Sequence, residues 1–364
     1  MPESLNHTQD PSTLARLTEI ADRAKSLRLS DNTRRAYQGD WDRFEEFCTE
    51  NHLEPVPADP NTVRAYVAHM STQIDHDGHW RYKASSISRA IAAINAVHRA
   101  LGYPRASNED VNDTINGVRR ARKEQIDRKH PLLLTEIRHM IARMDHHLWP
   151  TGMAAARDTA VILLGFGSAA RRSEVGALKL RNMTVNEDGL IITISQSKSD
   201  QEGAGATLAI PRGNSELTCA VCAWLHWNRL RHLTTRPERM MALFQRGHSP
   251  HWKHICFDEP DVKPENPDAP AFVSVNRAGG LGEAHLSGNA LNMIVKRRVN
   301  DLGLNPDKYG FHSLRSGFVT QARRNGADTR AVRRQTRHKS DDMVNAYDRD
   351  FAPLIGNAVT ELGM

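Results

Sequence analysis

The sequence predicts a mainly α chain with a small antiparallel β-sheet, built as an all-helical N-terminal domain followed by a mixed C-terminal one. Three observations carry this expectation. Apolar residues recur at spacings of three and four through residues 30–118, with capping residues ahead of each run. Short β-branched runs occur only from residue 189 onward. Between the two regimes lies the segment 118–130, VRRARKEQIDRKH, with six Lys or Arg against two Asp or Glu, closed by Pro131.

Residues 1–29 are polar and form a tail. Ser30 or Asp31 caps a first helix whose Tyr37, Trp41, Phe44 and Phe47 share one face. Asp59 followed by Pro60 starts a second, with Val63, Tyr66, Val67 and Met70 inward. Ser85 opens a third, carrying Ile87, Ile91, Ile94 and Leu101 and stopping at Gly102. Ser107 with Asp110 resembles a capping box ahead of Val111, Ile115 and Val118. These stripes are read as core, and the helical domain as residues 30–128. The basic segment that ends it reads equally as a solvated helix end or as a strap along a phosphate backbone.

The second domain spans 129–364. Helical patterns resume at Leu134. Gly189–Ser195 (GLIITIS) and Ala206–Pro211 (ATLAIP) read as a β-hairpin with a long polar tip, and Ala271–Val275 as a further strand. Residues 231–270, rich in Pro, His and charge, read as an irregular surface insertion. The tail 351–364 carries Leu354, Ile355, Val359 and Leu362. That set fits a helix docking on a neighbouring protomer or folding back on its own domain.

Composition excludes several classes. The chain has 364 residues, 39% hydrophobic and 25% charged, enough to bury two cores. The start MPESLNHTQDPS does not read as a signal peptide, and the longest apolar run, 160–167, falls far short of the ~20 residues of a membrane span. Four cysteines argue against a disulfide scaffold and suit a reducing cytoplasm. The formal charge of +6 permits a polyanionic partner. No P-loop, Gly-x-Ser-x-Gly elbow or His-Glu-x-x-His is present. Cys219-x-x-Cys222 reads as a packing pair. His248, His251, His254 and Cys256 match no standard finger and read as an exposed loop, so no metal and no cofactor is expected.

The chemistry gathers toward the C-terminus. Residues 322–339, ARRNGADTRAVRRQTRHK, hold seven Lys or Arg against Asp328. His312-Ser313-Leu314-Arg315 precedes this run and Tyr347 follows it. Upstream stand Arg171-Arg172-Ser173-Glu174 and, in the hairpin tip, Lys198. Arg171, not Arg172, keeps the three-residue offset to Glu174 that puts both on one helix face.

In order and spacing these residues resemble the tyrosine recombinases, the phage integrase family, and within it the two-domain Cre-like and Xer-like members. The family carries Arg-x-x-Glu, a hairpin Lys, His-x-x-Arg, His or Trp, and Tyr. The resemblance runs over roughly residues 30–355. It implies a core-binding helical domain and a catalytic domain that cleaves and rejoins DNA through a 3′-phosphotyrosine, leaving a free 5′-hydroxyl. Tyr347 would be the nucleophile. Arg171 and Arg315 are the bidentate cations for the pentacoordinate phosphate, and Lys198 the general acid for the leaving sugar oxygen. His312 and His338 would bond the phosphate and handle the phenol proton, and Glu174 would orient Arg171 or His312 from behind. Two positions depart from the family's usual glycines: Ala169, two before the first Arg, and Arg337, directly before His338.

The implied partners are double-stranded DNA with inverted-repeat sites and further copies of the chain, forming a tetramer on DNA through a Holliday junction, with the tail 351–364 as a docking element. Arg119, Arg120, Arg122 and Lys123 of the basic segment, Arg89 with His98 on the third helix, and Arg337 are candidate DNA contacts. The expected location is the cytoplasm, on the nucleoid. Two other readings stand beside this one: a type IB-like topoisomerase using similar groups, and a sequence-specific DNA-binding protein with a silent catalytic domain.

Overall fold

The computed structural model describes residues 31–123, 128–194, 205–247 and 254–351, with residues 359 and 362. The chain divides into two compact units, 1–127 and 128–364. The expectations placed on the tail 1–29, on Lys198, and on almost all of 351–364 lie outside the described residues.

The first unit is four helices: α1 (Asp31–Glu50), α2 (Pro60–Thr72), α3 (Ala84–Ala100) and α4 (Glu109–Arg122). The aromatic face of α1 drives its packing. Trp41, Phe44 and Phe47 are buried with Val63, Tyr66 and Met70 of α2 and Ile87, Ile91 and Ile94 of α3. Phe44 and Phe47 each lie 5.1 Å from the Tyr66 ring. Asp59 caps α2 by accepting from the Asn61 N–H at 2.7 Å. Two helix starts move by a residue or two from expectation. Lys83, not Ser85, precedes α3. Asn108 caps α4, because the Ser107 hydroxyl is taken by the Asn95 amide at 2.8 Å. Leu101 sits past the end of α3 and is exposed.

The second unit begins with α5 (Leu134–Arg143) and α6 (Thr151–Gly167). α6 is the central helix, buried on nearly every side. Its charged pair is internally satisfied: Asp158, fully buried, accepts from Arg157 at 2.6 and 2.9 Å and from Arg298 at 2.7 and 3.0 Å. The short α7 (Arg172–Ala177) follows, then β1 (Met183–Val185), β2 (Gly189–Ile194) and β3 (Ala206–Pro211) in one antiparallel sheet, order β1-β2-β3. The β2–β3 register pairs Gly189 with Pro211 and Ile194 with Ala206. A second, two-stranded sheet joins β4 (Val273–Val275) to β5 (Leu281–His285). The strand expected at 271–275 therefore belongs to its own ribbon and not to the hairpin's sheet.

Between the sheets run α8 (Ala220–His232) and α9 (Arg236–Gly247). α9 corrects the expectation that 231–270 is irregular. Thr235 and Glu238 exchange hydrogen bonds as a capping box, and Leu243 is buried on the inner face. α10 (Gly288–Asp301), α11 (His312–Arg324), α12 (Thr329–Thr336) and α13 (Asp341–Phe351) complete the unit. Gly317 of α11 is required by a close approach: a Cβ there would lie 1.8 Å from the Leu132 carbonyl oxygen. That stretch is fixed by the Leu132 N–H donating to Ser313 O at 2.9 Å.

Candidate active site

Arg171 stands just before α7, and Glu174 curls back to cap that helix. Glu174 accepts from the Arg171 backbone N–H at 2.7 Å and from its Nη1 at 3.0 Å. A third donor arrives from far along the chain: Arg337 Nη2 at 2.6 Å from the same carboxylate. Burial alone would raise the Glu174 carboxyl, but the Arg171 N–H and the Arg337 and Arg171 guanidiniums together hold it below the usual carboxylate value. Glu174 thus orients Arg171 and Arg337, and not His312.

Arg315 lies one turn into α11, 3% exposed. Its Nη1 donates to Ala169 O and its Nη2 to Thr336 O, both at 2.5 Å. Both acceptors belong to left-handed turns. Ala169 has φ +48°, and Thr336 immediately precedes Arg337 at φ +57°. The two departures from the family's glycines therefore fall where the backbone favours glycine. Burial and the neighbouring Arg171 lower the Arg315 pKa to about 10, so the guanidinium stays charged at neutral pH.

His312 and His338 flank Tyr347. The phenol oxygen is 3.2 Å from His312 Nε2, and the His338 ring stacks on the Tyr347 ring at 5.8 Å and 26°. The Thr336 hydroxyl donates to Val332 O at 2.8 Å, so at 3.0 Å it accepts from His338 Nδ1–H, which leaves Nε2 as the acceptor nitrogen. Burial, with Arg315, Arg171 and His312 nearby, pushes His338 down to about 4. His312 keeps an exposed edge, yet desolvation and the same two arginines lower it too. Both imidazoles are neutral at pH 7. Burial raises the Tyr347 phenol, against the pull of Arg315, Arg128 and Arg171. The fold thus gathers Arg171, Glu174, His312, Arg315, His338 and Tyr347 from α7, α11, α12 and α13. Lys198 is outside the described residues. Gln335, unremarked in the sequence, ties α12 to the end of α6 and to β3 through Gly167 O at 2.8 Å and Ala209 O at 3.3 Å.

Several DNA-contact candidates have partners within the chain. Arg89 grips Asp40, a carboxylate 1% exposed, at 2.7 and 3.1 Å. His98 is core, its Nε2 accepting from the Ala58 N–H at 2.8 Å. Arg122 lies 4.3 Å over the Trp80 ring and donates to the Tyr82 and Ser71 carbonyls. Arg337 points inward to Glu174. Arg119, Arg120 and Lys123 remain on the surface, Arg119 donating to Ser88 Oγ at 2.7 Å. Away from the pocket, Cys219, Cys222, His254 and Cys256 converge. Cys219 and Cys222 pack in the core as expected, Cys256 is buried where an exposed loop was expected, and His248 and His251 lie outside the described residues. No described helix is long and apolar enough to cross a membrane.

This architecture matches known proteins. The model of the phage integrase family matches residues 131–352, and that of the phage integrase N-terminal SAM-like domain matches residues 24–102. An integrase/recombinase XerD homolog of Selenomonas ruminantium is 30% identical over 336 residues, covering 91% of this chain and 85% of its own. The tyrosine recombinase XerD of Chlorobaculum tepidum is 24% identical over 328 residues, covering 89% and 88%. Among solved structures, the Tn1549 transposon integrase with transposon right-end DNA aligns with TM-score 0.52 at 14% identity, over 91% and 92% of the two chains. A lambda integrase dimer on a core site aligns with TM-score 0.51 at 16% identity, over 92% and 95%. From the length of the family match and the similarity to its Selenomonas relative, the chain belongs to the phage integrase family, the tyrosine recombinases.

Proposed function

We propose that the chain is a site-specific DNA recombinase that exchanges strands through a covalent 3′-phosphotyrosine. The observation that carries this is a phenol 3.2 Å from a neutral imidazole nitrogen, within electrostatic reach of two arginines. Tyr347 Oη attacks phosphorus and its proton passes to His312 Nε2. The P–O5′ bond breaks, and the sugar oxygen takes a proton from Lys198. Arg171 and Arg315 meet the charge that grows on the non-bridging oxygens, and His338 Nε2 accepts from a protonated intermediate or a water at the phosphate. One phosphodiester is exchanged for another, so the step is reversible without ATP. A 5′-hydroxyl from the partner strand reverses it and completes the transfer.

The match of this chain to both the SAM-like and the integrase family models, and its similarity to proteins named as recombinases, favour recombination over simple relaxation of supercoils. The exposed Arg120 and Lys123, with Arg119, are the proposed phosphate contacts of the helical unit, and binding is expected to weaken steeply with salt. Exchange of four strands requires four protomers on two inverted-repeat sites, with 351–364 the proposed docking segment. The test is a suicide duplex, nicked so that the cleaved 5′ end diffuses away. The parent should accumulate a covalent protein–DNA adduct. Tyr347→Phe should bind the duplex as tightly and form none; adduct formation by that variant would overturn the assignment.

A further inference from the structure

Three thiols and one imidazole share a buried point at the N-terminal end of α8. Cys219 precedes the helix, Cys222 lies in its first turn, and His254 and Cys256 come from the turn at 254–257. Cys219 and Cys222 are fully buried and Cys256 is 3% exposed. Each of the four offers one donor atom, and all of these atoms lie within 4.8 Å of one another. His254 Nδ1 is 3.3 Å from both Cys222 Sγ and Cys256 Sγ, and Cys219 Sγ is 3.9 Å from Cys256 Sγ.

Those separations can be weighed against two explanations. A disulfide would bring one sulfur pair to about 2.0 Å and give the imidazole no part. A tetrahedral zinc with Zn–S of about 2.3 Å and Zn–N of about 2.0–2.1 Å sets S···S edges near 3.8 Å and S···N edges near 3.5 Å. The observed 3.9 and 3.3 Å fall close to these edges.

The surroundings suit thiolates. The Gly213 N–H points at Cys219 Sγ at 3.3 Å, and the backbone N–H groups of Cys222 and Cys256 are directed at the sulfurs of Cys219 and Cys222. The first turn of α8 adds the positive end of a 13-residue helix. Three thiolates around a divalent ion leave one negative charge. The buried Arg246 lies within electrostatic reach of Cys219 and Cys222, and Arg212 donates to Cys256 O at 3.2 Å while covering Phe257.

We propose that Cys219, Cys222, His254 and Cys256 form a closed structural zinc site. Soft sulfur with imidazole selects zinc over magnesium or calcium, and four protein donors leave no open position for catalysis. The site clasps the start of α8 to the turn at 254–257 and to Gly213, two residues beyond the end of β3. It therefore fixes the end of β3, at the root of the β2–β3 hairpin.

The test uses the full chain, purified under reducing conditions from zinc-supplemented cells. Elemental analysis should find about one zinc per chain that survives gel filtration. Exchange for Co²⁺ should give sulfur-to-cobalt charge transfer in the near ultraviolet and the intense red absorption of a tetrahedral ion. Chelator should lower the Tm of the parent. His254→Ala should hold about tenfold less zinc after dialysis against a mild chelator, and His254→Cys should restore it. Less than about a tenth of a zinc per chain, with no cobalt spectrum, would overturn the proposal. So would a Cys219–Cys256 disulfide found by non-reducing mass spectrometry. If His254→Ala does not accumulate folded, the cobalt spectrum of the parent decides alone. None of these readouts depends on DNA cleavage.

Discussion

Glu174 is the residue on which the pocket's cations converge. It is buried and holds Arg171 by two hydrogen bonds and Arg337 by one. Glu174→Gln keeps an oxygen for the Arg171 N–H but loses both ion pairs. Adduct formation on a suicide duplex should fall on the order of tenfold while duplex affinity stays near the parent's. The imidazoles make a second prediction at this scale. His312 and His338 are both held below the ordinary value of 6.5, so the base that receives the phenol proton stays neutral in mild acid. The cleavage rate should therefore hold as pH falls through 6.5 and decline only below it, which a pH series of single-turnover cleavage would register. A midpoint at or above 6.5 would contradict this assignment of the base.

At the scale of elements, two substitutions separate packing from chemistry. Gly317→Ala drives a methyl into the Leu132 carbonyl, and the chain at 132 is held by Ser313. The loss should be about 3 kcal/mol, seen as a lower urea midpoint. Arg89→Ala leaves Asp40 paired with Arg43, and should cost about 1–2 kcal/mol while leaving the salt dependence of duplex binding unchanged. A reduced salt slope would return Arg89 to the DNA surface. These elements also show what a sequence makes legible. The stripe Trp41, Phe44, Phe47 announces α1, and Asp59-Pro60 announces α2, because both signals are local. Arg171 and Glu174 were readable for the same reason, three residues apart on one turn. α9 carried its own signal, Thr235 with Glu238, under a composition that suggested loop. Arg89 and His98 could not be sorted by sequence, since a helix residue facing a buried carboxylate looks the same as one facing solvent. The cysteine–histidine cluster is hidden in the sequence by the 31 residues that separate Cys222 from His254, because nothing local signals that the two meet.

For the molecule as a whole, buried histidines set the acid limit. Burial lowers His146 to about 4, His226 to about 3 and His338 to about 4, with Arg246 adding to the first two and Arg315 to the third. The unfolded chain protonates these rings near 6.5. Between that value and about 4 it binds protons that the folded chain does not, so stability is full above 6.5 and falls as pH drops through this window. Urea midpoints should be lower at pH 5 than at pH 7.5, and His226→Gln should narrow the difference. Arg315 has a consequence on the same scale. Its two acceptors lie 146 and 21 residues away along the chain, and both are peptide oxygens. No side-chain change can delete them, and a half-folded or clipped molecule does not bring them together. The guanidinium is therefore held in place only once the segments carrying Ala169 and Thr336 have folded against α11.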